Sequence, residues 1–273
     1  MKISTCLSTS PAKFEAVPFK GDFKTNVLDI SSMGFDGIEL AVRNPLSIDQ
    51  EETIHVITTA GMKIPAVGTG QAWGEEGLSF TDPDPEIRKN AVKRVYSHLD
   101  FSAKAGSIVI IGLLRGITRE NVSEAKASEW MYKSFSDCCN KAEECGVRIA
   151  FEPINRYETS LLNSVDEGLE FINRVGGEKL GMLLDTFHMN IEEPSMESSI
   201  HKASNKIFHF HYADSNRWYP GAGHIDFDPL IKALKSVGYK GYFSGEHRPD
   251  PEPRYAAKQG LKFMRNLELK FNI

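Results

Sequence analysis

The sequence predicts an α/β chain folded as a single (β/α)8 TIM barrel over residues 1–273. Three observations point there. Eight short apolar runs alternate with eight longer amphipathic stretches. Five of the amphipathic stretches end in a glycine just before the next run: Gly34, Gly61, Gly106, Gly146 and Gly238. Such a glycine supplies the left-handed turn that ends a helix. Polar residues gather at the ends of the apolar runs, where a barrel of this kind keeps its active site.

In chain order, strands are expected at Lys2–Ser8, Asp36–Val42, Lys63–Gly68, Ser107–Leu113, Val147–Glu152, Leu180–Asp185, Lys206–His211 and Gly241–Glu246. Helices are expected near 22–33, 47–60, 85–105, 123–145, 164–175, 195–203, 228–237 and 254–269. The 85–105 helix is the clearest. Pro85 suits its first turn, and Ile87, Ala91, Val95 and Leu99 repeat every four residues as a core-facing stripe. The run Ser107-Ile108-Val109-Ile110-Ile111-Gly112 is apolar on both faces, as a buried parallel strand is. An open doubly wound sheet fits less well, because the first strand lacks a GxGxxG turn and eight regular units favour closure.

Composition narrows the function. Lys+Arg number 32 against 37 Asp+Glu, a formal charge of −5. That balance argues against nucleic acid or an anionic membrane as the main partner. No apolar run approaches the roughly 18 residues that span a bilayer. The N-terminus turns polar too early for a signal peptide. Cys6, Cys138, Cys139 and Cys145 contain no CxxC spacing and read as reduced thiols, so a cytoplasmic protein is expected.

Four consecutive strands end in Glu152, Asp185, His211 and Glu246. In a barrel these ends converge. Three carboxylates alone would repel one another, and a divalent cation removes that cost. An oxygen-rich set with one imidazole suits Mn²⁺ first, and also Mg²⁺, Co²⁺ or Fe²⁺. His209 has the same parity as His211 and is expected one layer lower, as a hydrogen-bonded barrel residue. His188 falls in the loop after strand 6, within reach of a substrate hydroxyl. His55, His98 and His201 fall on helices and are expected at the surface, while His224 and His247 lie near the site without a role. Arg115 follows strand 4, so it is expected to look into the barrel mouth and pair with a substrate carboxylate. Arg43 and Arg248 are alternative carboxylate partners. Trp73, Trp218 and Tyr219 lie in loops that could cover a sugar, and the 217–223 loop reads as a lid.

The segments Glu152-Pro-Ile-Asn-Arg-Tyr-Glu158, Leu184-Asp-Thr-Phe-His-Met-Asn190 and His211-Tyr-Ala-Asp-Ser-Asn-Arg217 resemble the xylose-isomerase-like barrel superfamily. Within it they look most like the D-tagatose 3-epimerase group of ketose 3-epimerases. Ser8-Thr9-Ser10, Gly68-Thr69-Gly70-Gln71-Ala72 and Val109–Gly116 are similar to the 5-keto-L-gluconate epimerases of inositol catabolism. The resemblance implies that Glu152, Asp185, His211 and Glu246 bind the metal. It implies that Glu152 and Glu246 also act as acid/base groups, and that Glu158, His188 and Arg217 hold the substrate's carbonyl end. The polar stretch Gly245-Glu246-His247-Arg248-Pro249 departs from the group's more apolar pattern.

The expected activity is C3 epimerisation of a 2-ketose or keto-sugar acid through a cis-enediolate. The partner is then a small sugar or sugar acid, and a homo-dimer or tetramer is expected from the resemblance. The alternative is an aldose–ketose isomerase of the hydroxypyruvate or inosose type on the same metal site. An abasic-site endonuclease would need a three-metal cluster and a basic face, and a non-catalytic sugar binder would show no turnover.

Overall fold

The computed structural model describes residues 1–272. Its strands are β1 (Lys2–Ser8), β2 (Gly37–Ala41), β3 (Ala66–Gly68), β4 (Ile108–Ile111), β5 (Ile149–Phe151), β6 (Leu180–Asp185), β7 (Ile207–Tyr212) and β8 (Tyr242–Gly245). Each pairs in parallel with the next, and β8 pairs with β1, so the barrel closes in sequence order. The helices are α1 (Phe23–Met33), α2 (Gln50–Thr59), α3 (Gly70–Glu76), α4 (Pro85–Ala105), α5 (Glu124–Cys145), α6 (Val165–Val175), α7 (Thr186–Glu192), α8 (Met196–Ala203), α9 (Phe227–Ser236) and α10 (Pro253–Phe271).

The eight strands and eight long helices fall where the apolar periods place them. The five turn glycines all have positive φ, at 34, 61, 106, 146 and 238. Helix starts are capped by short polar side chains: Asp22, Asp49, Asp84, Ser123, Ser195 and Asp226, with a full capping box at Ser164 and Glu167. Two helices, α3 and α7, were not expected. Each is seven residues long, too short to show a helical period. The α7 helix begins directly on the β6 end, where the Asp185 side chain accepts from Phe187 N at 2.8 Å.

Two layers of core hold the barrel. The large outer layer packs the strands against the helices, with Phe135 of α5 making edge-on contacts to Phe80, Phe151 and Phe171. A small inner cluster of Ala66, Ile108, Ile110, Ala150 and Leu183 fills the barrel axis. It is the apolar side of the interior. Cys6, Glu39, His209 and His211 occupy buried positions on the facing strands β1, β2 and β7.

His98 corrects the expectation of a surface histidine. It is fully buried on α4, with its ring nitrogens 2.8 Å from Val42 O and Arg94 O. The buried face of this helix is wide enough to take in the position beside Leu99. The four cysteines are free, and three of them are buried. No helix among the described residues is long and apolar enough to cross a membrane.

Candidate active site and metal centre

Glu152 directly follows β5, Asp185 ends β6, His211 lies near the end of β7 and Glu246 directly follows β8. One donor atom from each lies within 4.8 Å of all the others. His211 Nδ1 is 3.9 Å from Glu152 Oε1, 4.0 Å from Asp185 Oδ2 and 3.8 Å from Glu246 Oε2. Glu152 Oε1, Asp185 Oδ2 and His211 Nδ1 are buried without a hydrogen-bond partner. Buried orphan atoms are costly, at about 1–3 kcal/mol each and more when charged. Three of them, from three strands and aimed at one point, fit a divalent cation with mixed O and N ligands.

Glu39, at the centre of β2, sits beneath this set. It receives His209 Nε2 at 2.7 Å, His211 Nε2 at 3.0 Å and the Cys6 thiol at 3.4 Å. The first of these is the lower-layer role expected of His209. Burial alone would raise the Glu39 pKa, but His211 and His209 overcome it and hold the carboxyl well below its usual range. With Nε2–H of His211 committed to Glu39, Nδ1 is the nitrogen left to face the centre. Glu39 is not among the site residues that the sequence singles out, because its partners lie across the barrel.

Protonation follows from this crowding. Burial alone would lower the His211 pKa, but Glu39, Glu246 and Glu152 push it up to about 10. Burial, then Glu246, raises that of Glu152 well above the usual carboxyl range. At neutral pH the metal-free centre therefore holds protons that a cation must displace. Cation affinity is expected to rise with pH towards about 10. Calorimetric Mn²⁺ titrations at pH 7, in two buffers of different ionisation enthalpy, should differ by the heat of at least one released proton per site. Identical enthalpies would contradict the assignment.

Above the carboxylates, His188 of α7 is 2 % exposed. Its Nδ1 accepts from Asn155 Nδ2 at 2.7 Å, so its Nε2 carries the hydrogen. That Nε2 lies 3.7 Å from Glu152 Oε1 and 3.8 Å from Asp185 Oδ2. Burial, then the Arg217 and Arg115 charges, hold the His188 pKa well below its usual value, so the ring is a neutral donor. Asn155 also donates to Glu158 Oε1 at 2.9 Å. Its position was inside a quoted motif, but its orienting role shows only in the fold.

Arg217 completes the group. It donates to Glu246 Oε2 at 2.5 Å and lies 3.5 Å from Glu158 Oε1 and 4.6 Å over the Phe187 ring. Its φ is +61°, and hydrogen bonds to Asp214 tie down the loop around it. The fully buried Asp214 carboxylate accepts from Ser215 N, Gly221 N and Ile225 N at 2.8–3.0 Å. Asp214→Ala leaves those donors unpaired and is expected to cost about 2–4 kcal/mol in denaturant unfolding. It should also lower kcat/KM through Arg217, and an unchanged unfolding midpoint would contradict this role.

The residues open into a cavity of about 700 Å³. Phe14, Trp73, Leu113, Ile154 and Phe187 supply apolar wall. Trp218 and Tyr219 lie outside it, Tyr219 packing on Tyr255 at 6.0 Å. Arg115 is a further correction: it does not line the cavity and is fully buried. The chain leaves β4 through a 3-10 turn, Leu113–Arg115, that turns this side chain toward the β5 loop and away from the mouth. Arg43 pairs with Glu76 at 3.7 Å, outside the cavity. Arg248 does line the mouth, but it is paired with Glu15 and Asp250. His247 is buried and donates from Nδ1 to Arg248 O at 3.1 Å, and burial lowers its pKa to about 4. His224 is exposed and does not line the cavity.

Comparison with known proteins agrees with this picture. Residues 27–267 match the family described as xylose isomerase-like TIM barrel. The D-psicose 3-epimerase of Ruminiclostridium cellulolyticum is 32% identical over 237 residues, covering 82% of this chain and 77% of the relative. The 3-dehydro-D-guloside 4-epimerase of Escherichia coli is 27% identical over 257 residues, covering 89% and 95%. The crystal structure of D-psicose 3-epimerase with D-tagatose from Clostridium cellulolyticum H10 superposes with a TM-score of 0.83 at 26% identity, covering 98% of this chain and 99% of that one. The chain belongs to the xylose isomerase-like TIM barrel family, and is a carbohydrate enzyme of its epimerase/isomerase class.

Proposed function

We propose that the chain is a divalent-metal-dependent epimerase that inverts C3 of a 2-ketose through a cis-enediolate. The observation that carries this reading is the placement of two carboxylates, the buried Glu152 and the partly buried Glu246, at the ends of nonadjacent strands. They share one centre beneath a sugar-sized cavity. Inversion requires proton removal on one face of a planar intermediate and delivery on the other. In this reading Glu152 and Glu246 serve the two faces and exchange roles in the reverse direction.

The neutral His188 Nε2–H and the Arg217 guanidinium are aimed where negative charge develops on the substrate oxygens. Glu158, held by Asn155 and Arg217, receives a hydroxyl at the same end. Glu152, Asp185, His211 and Glu246 would hold the cation, with Mn²⁺ the first candidate. When bound, it supplies Lewis-acid stabilisation of the developing charge.

Substrate charge is the finer question. A keto-acid needs an unpaired cation at the mouth. With Arg115 buried, the cavity cations are Arg217, paired with Glu246 and Glu158, Lys13, 3.5 Å from Glu75, and Arg248, paired with Glu15 and Asp250. This pairing favours a neutral ketose over the 5-keto-L-gluconate class. A panel of ketohexoses and ketohexonates, assayed with Mn²⁺ after chelation, should show C3-epimerised ketohexose as the main product. An aldose product would establish the isomerase alternative, and turnover of ketohexonates alone would reverse the charge argument.

A further inference from the structure

We infer that Arg115 is a positioning residue. Its guanidinium clamps both ends of the β5 loop, and the β4 turn that carries it seats the Glu152 carboxylate. Nη1 donates to Glu152 O at 2.7 Å and to Gly112 O at 3.2 Å. Nε donates to Leu161 O at 3.0 Å and Nη2 to Leu162 O at 3.3 Å. The cation lies 5.0 Å over the Phe151 ring. No carboxylate comes within ion-pair distance of it among the described residues.

A buried, unpaired cation is expensive, and a fold that needed only bulk here would use an apolar side chain. What the arginine provides is geometry. Its rigid fork reaches four backbone carbonyls that an apolar residue would leave unpaired. One of them belongs to the residue that begins the loop, and two belong to residues that end it. Between these points the loop carries Asn155 and Glu158, which orient His188 and Arg217. Further links tie the same two segments, from Thr159 Oγ1 to Gly116 O at 3.1 Å and from Thr118 N to Ser160 Oγ at 3.2 Å.

Gly112 is the second half of the device. A Cβ there would stand 2.6 Å from Glu152 Oε2 and 3.2 Å from Ile154 Cδ1. The carboxylate therefore lies directly against the bare backbone of the β4 turn. Arg115 holds Glu152 from behind through its carbonyl, while the absent side chain at 112 leaves room for its head. Displacement of a reacting group by about 1 Å can lower a rate about 100-fold.

The inference rests on the epimerase reading, and its test has an arm that needs no substrate. Arg115→Lys keeps the charge but loses the fork, and Gly112→Ala crowds the carboxylate while leaving the Arg115 bonds in place. Both should weaken Mn²⁺ binding to the metal-free protein by about 10–100-fold. At saturating Mn²⁺ both should lower kcat by a similar factor with KM within about threefold, a split that mere loss of stability would not give. Should Arg115→Lys fail to fold, Arg115→Gln is read the same way, since its amide can donate to Glu152 O without a buried charge. A folded Arg115 variant with wild-type Mn²⁺ affinity and wild-type kcat would overturn the proposal. A wild-type protein that binds Mn²⁺ but turns over no sugar would instead overturn the epimerase reading, and the metal-binding arm would still test Arg115.

Discussion

Glu152→Gln and Glu246→Gln are each expected to lower kcat by about 10²–10⁴-fold at saturating Mn²⁺, the usual contribution of a positioned acid or base. Glutamine keeps the shape and one carbonyl oxygen but cannot accept and return a proton. Each variant should lose the reaction in both directions, because in the proposed mechanism each carboxylate is base in one direction and acid in the other. The folded state should not suffer. Burial, then Glu246, raises the Glu152 pKa above its unfolded value. A carboxyl shifted upward stabilises the fold below the ordinary carboxyl range, and this is lost as pH rises toward the shifted value. At pH 7 the metal-free protein is therefore under strain from Glu152, and Glu152→Gln should unfold at an equal or higher temperature than wild type. A lower melting temperature with unchanged kcat would reverse the assignment of Glu152 from chemistry to structure.

Metal removal should have an effect of comparable size. Chelation is expected to reduce turnover to background, and added Mn²⁺ to restore it, because the buried donor atoms of Glu152, Asp185 and His211 have no hydrogen-bond partner in the protein to take the place of a cation. Binding should also appear as stability. At 100–1,000 times Kd a ligand adds about 2.7–4.1 kcal/mol. For a chain of this size that corresponds to a rise in Tm of about 5–15 °C over the chelated protein. Differential scanning calorimetry measures it, and equal Tm values with and without Mn²⁺ would contradict a metal centre at these residues.

The barrel was legible because its signals are local and repeated: apolar runs, helix stripes, caps and turn glycines. Glu152, Asp185, His211 and Glu246 were legible for a related reason, since strand ends in a barrel converge whatever the loops do. Other parts depend on contacts that no local pattern carries. Glu39 meets His211 across 172 residues, through the register of β2 and β7 on opposite sides of the interior. Asn155 orients His188 only because α7 starts at once after β6. The expectation for Arg115 went astray at a single turn: three residues of 3-10 geometry carry the guanidinium behind Glu152, out of the cavity. The Asp214 anchor was likewise hidden, because its partners are backbone N–H groups of the loop it holds.

The most direct test of the central claim is proton exchange at carbon. The Mn²⁺-loaded protein would be incubated with a ketohexose in D₂O, and substrate and product would be followed by NMR. The account predicts one deuterium at C3 of the epimerised product and gradual exchange at C3 of the substrate, both suppressed in Glu152→Gln and in Glu246→Gln. Deuterium at C1 or C4 in place of C3, or wild-type exchange at C3 in both variants, would contradict it.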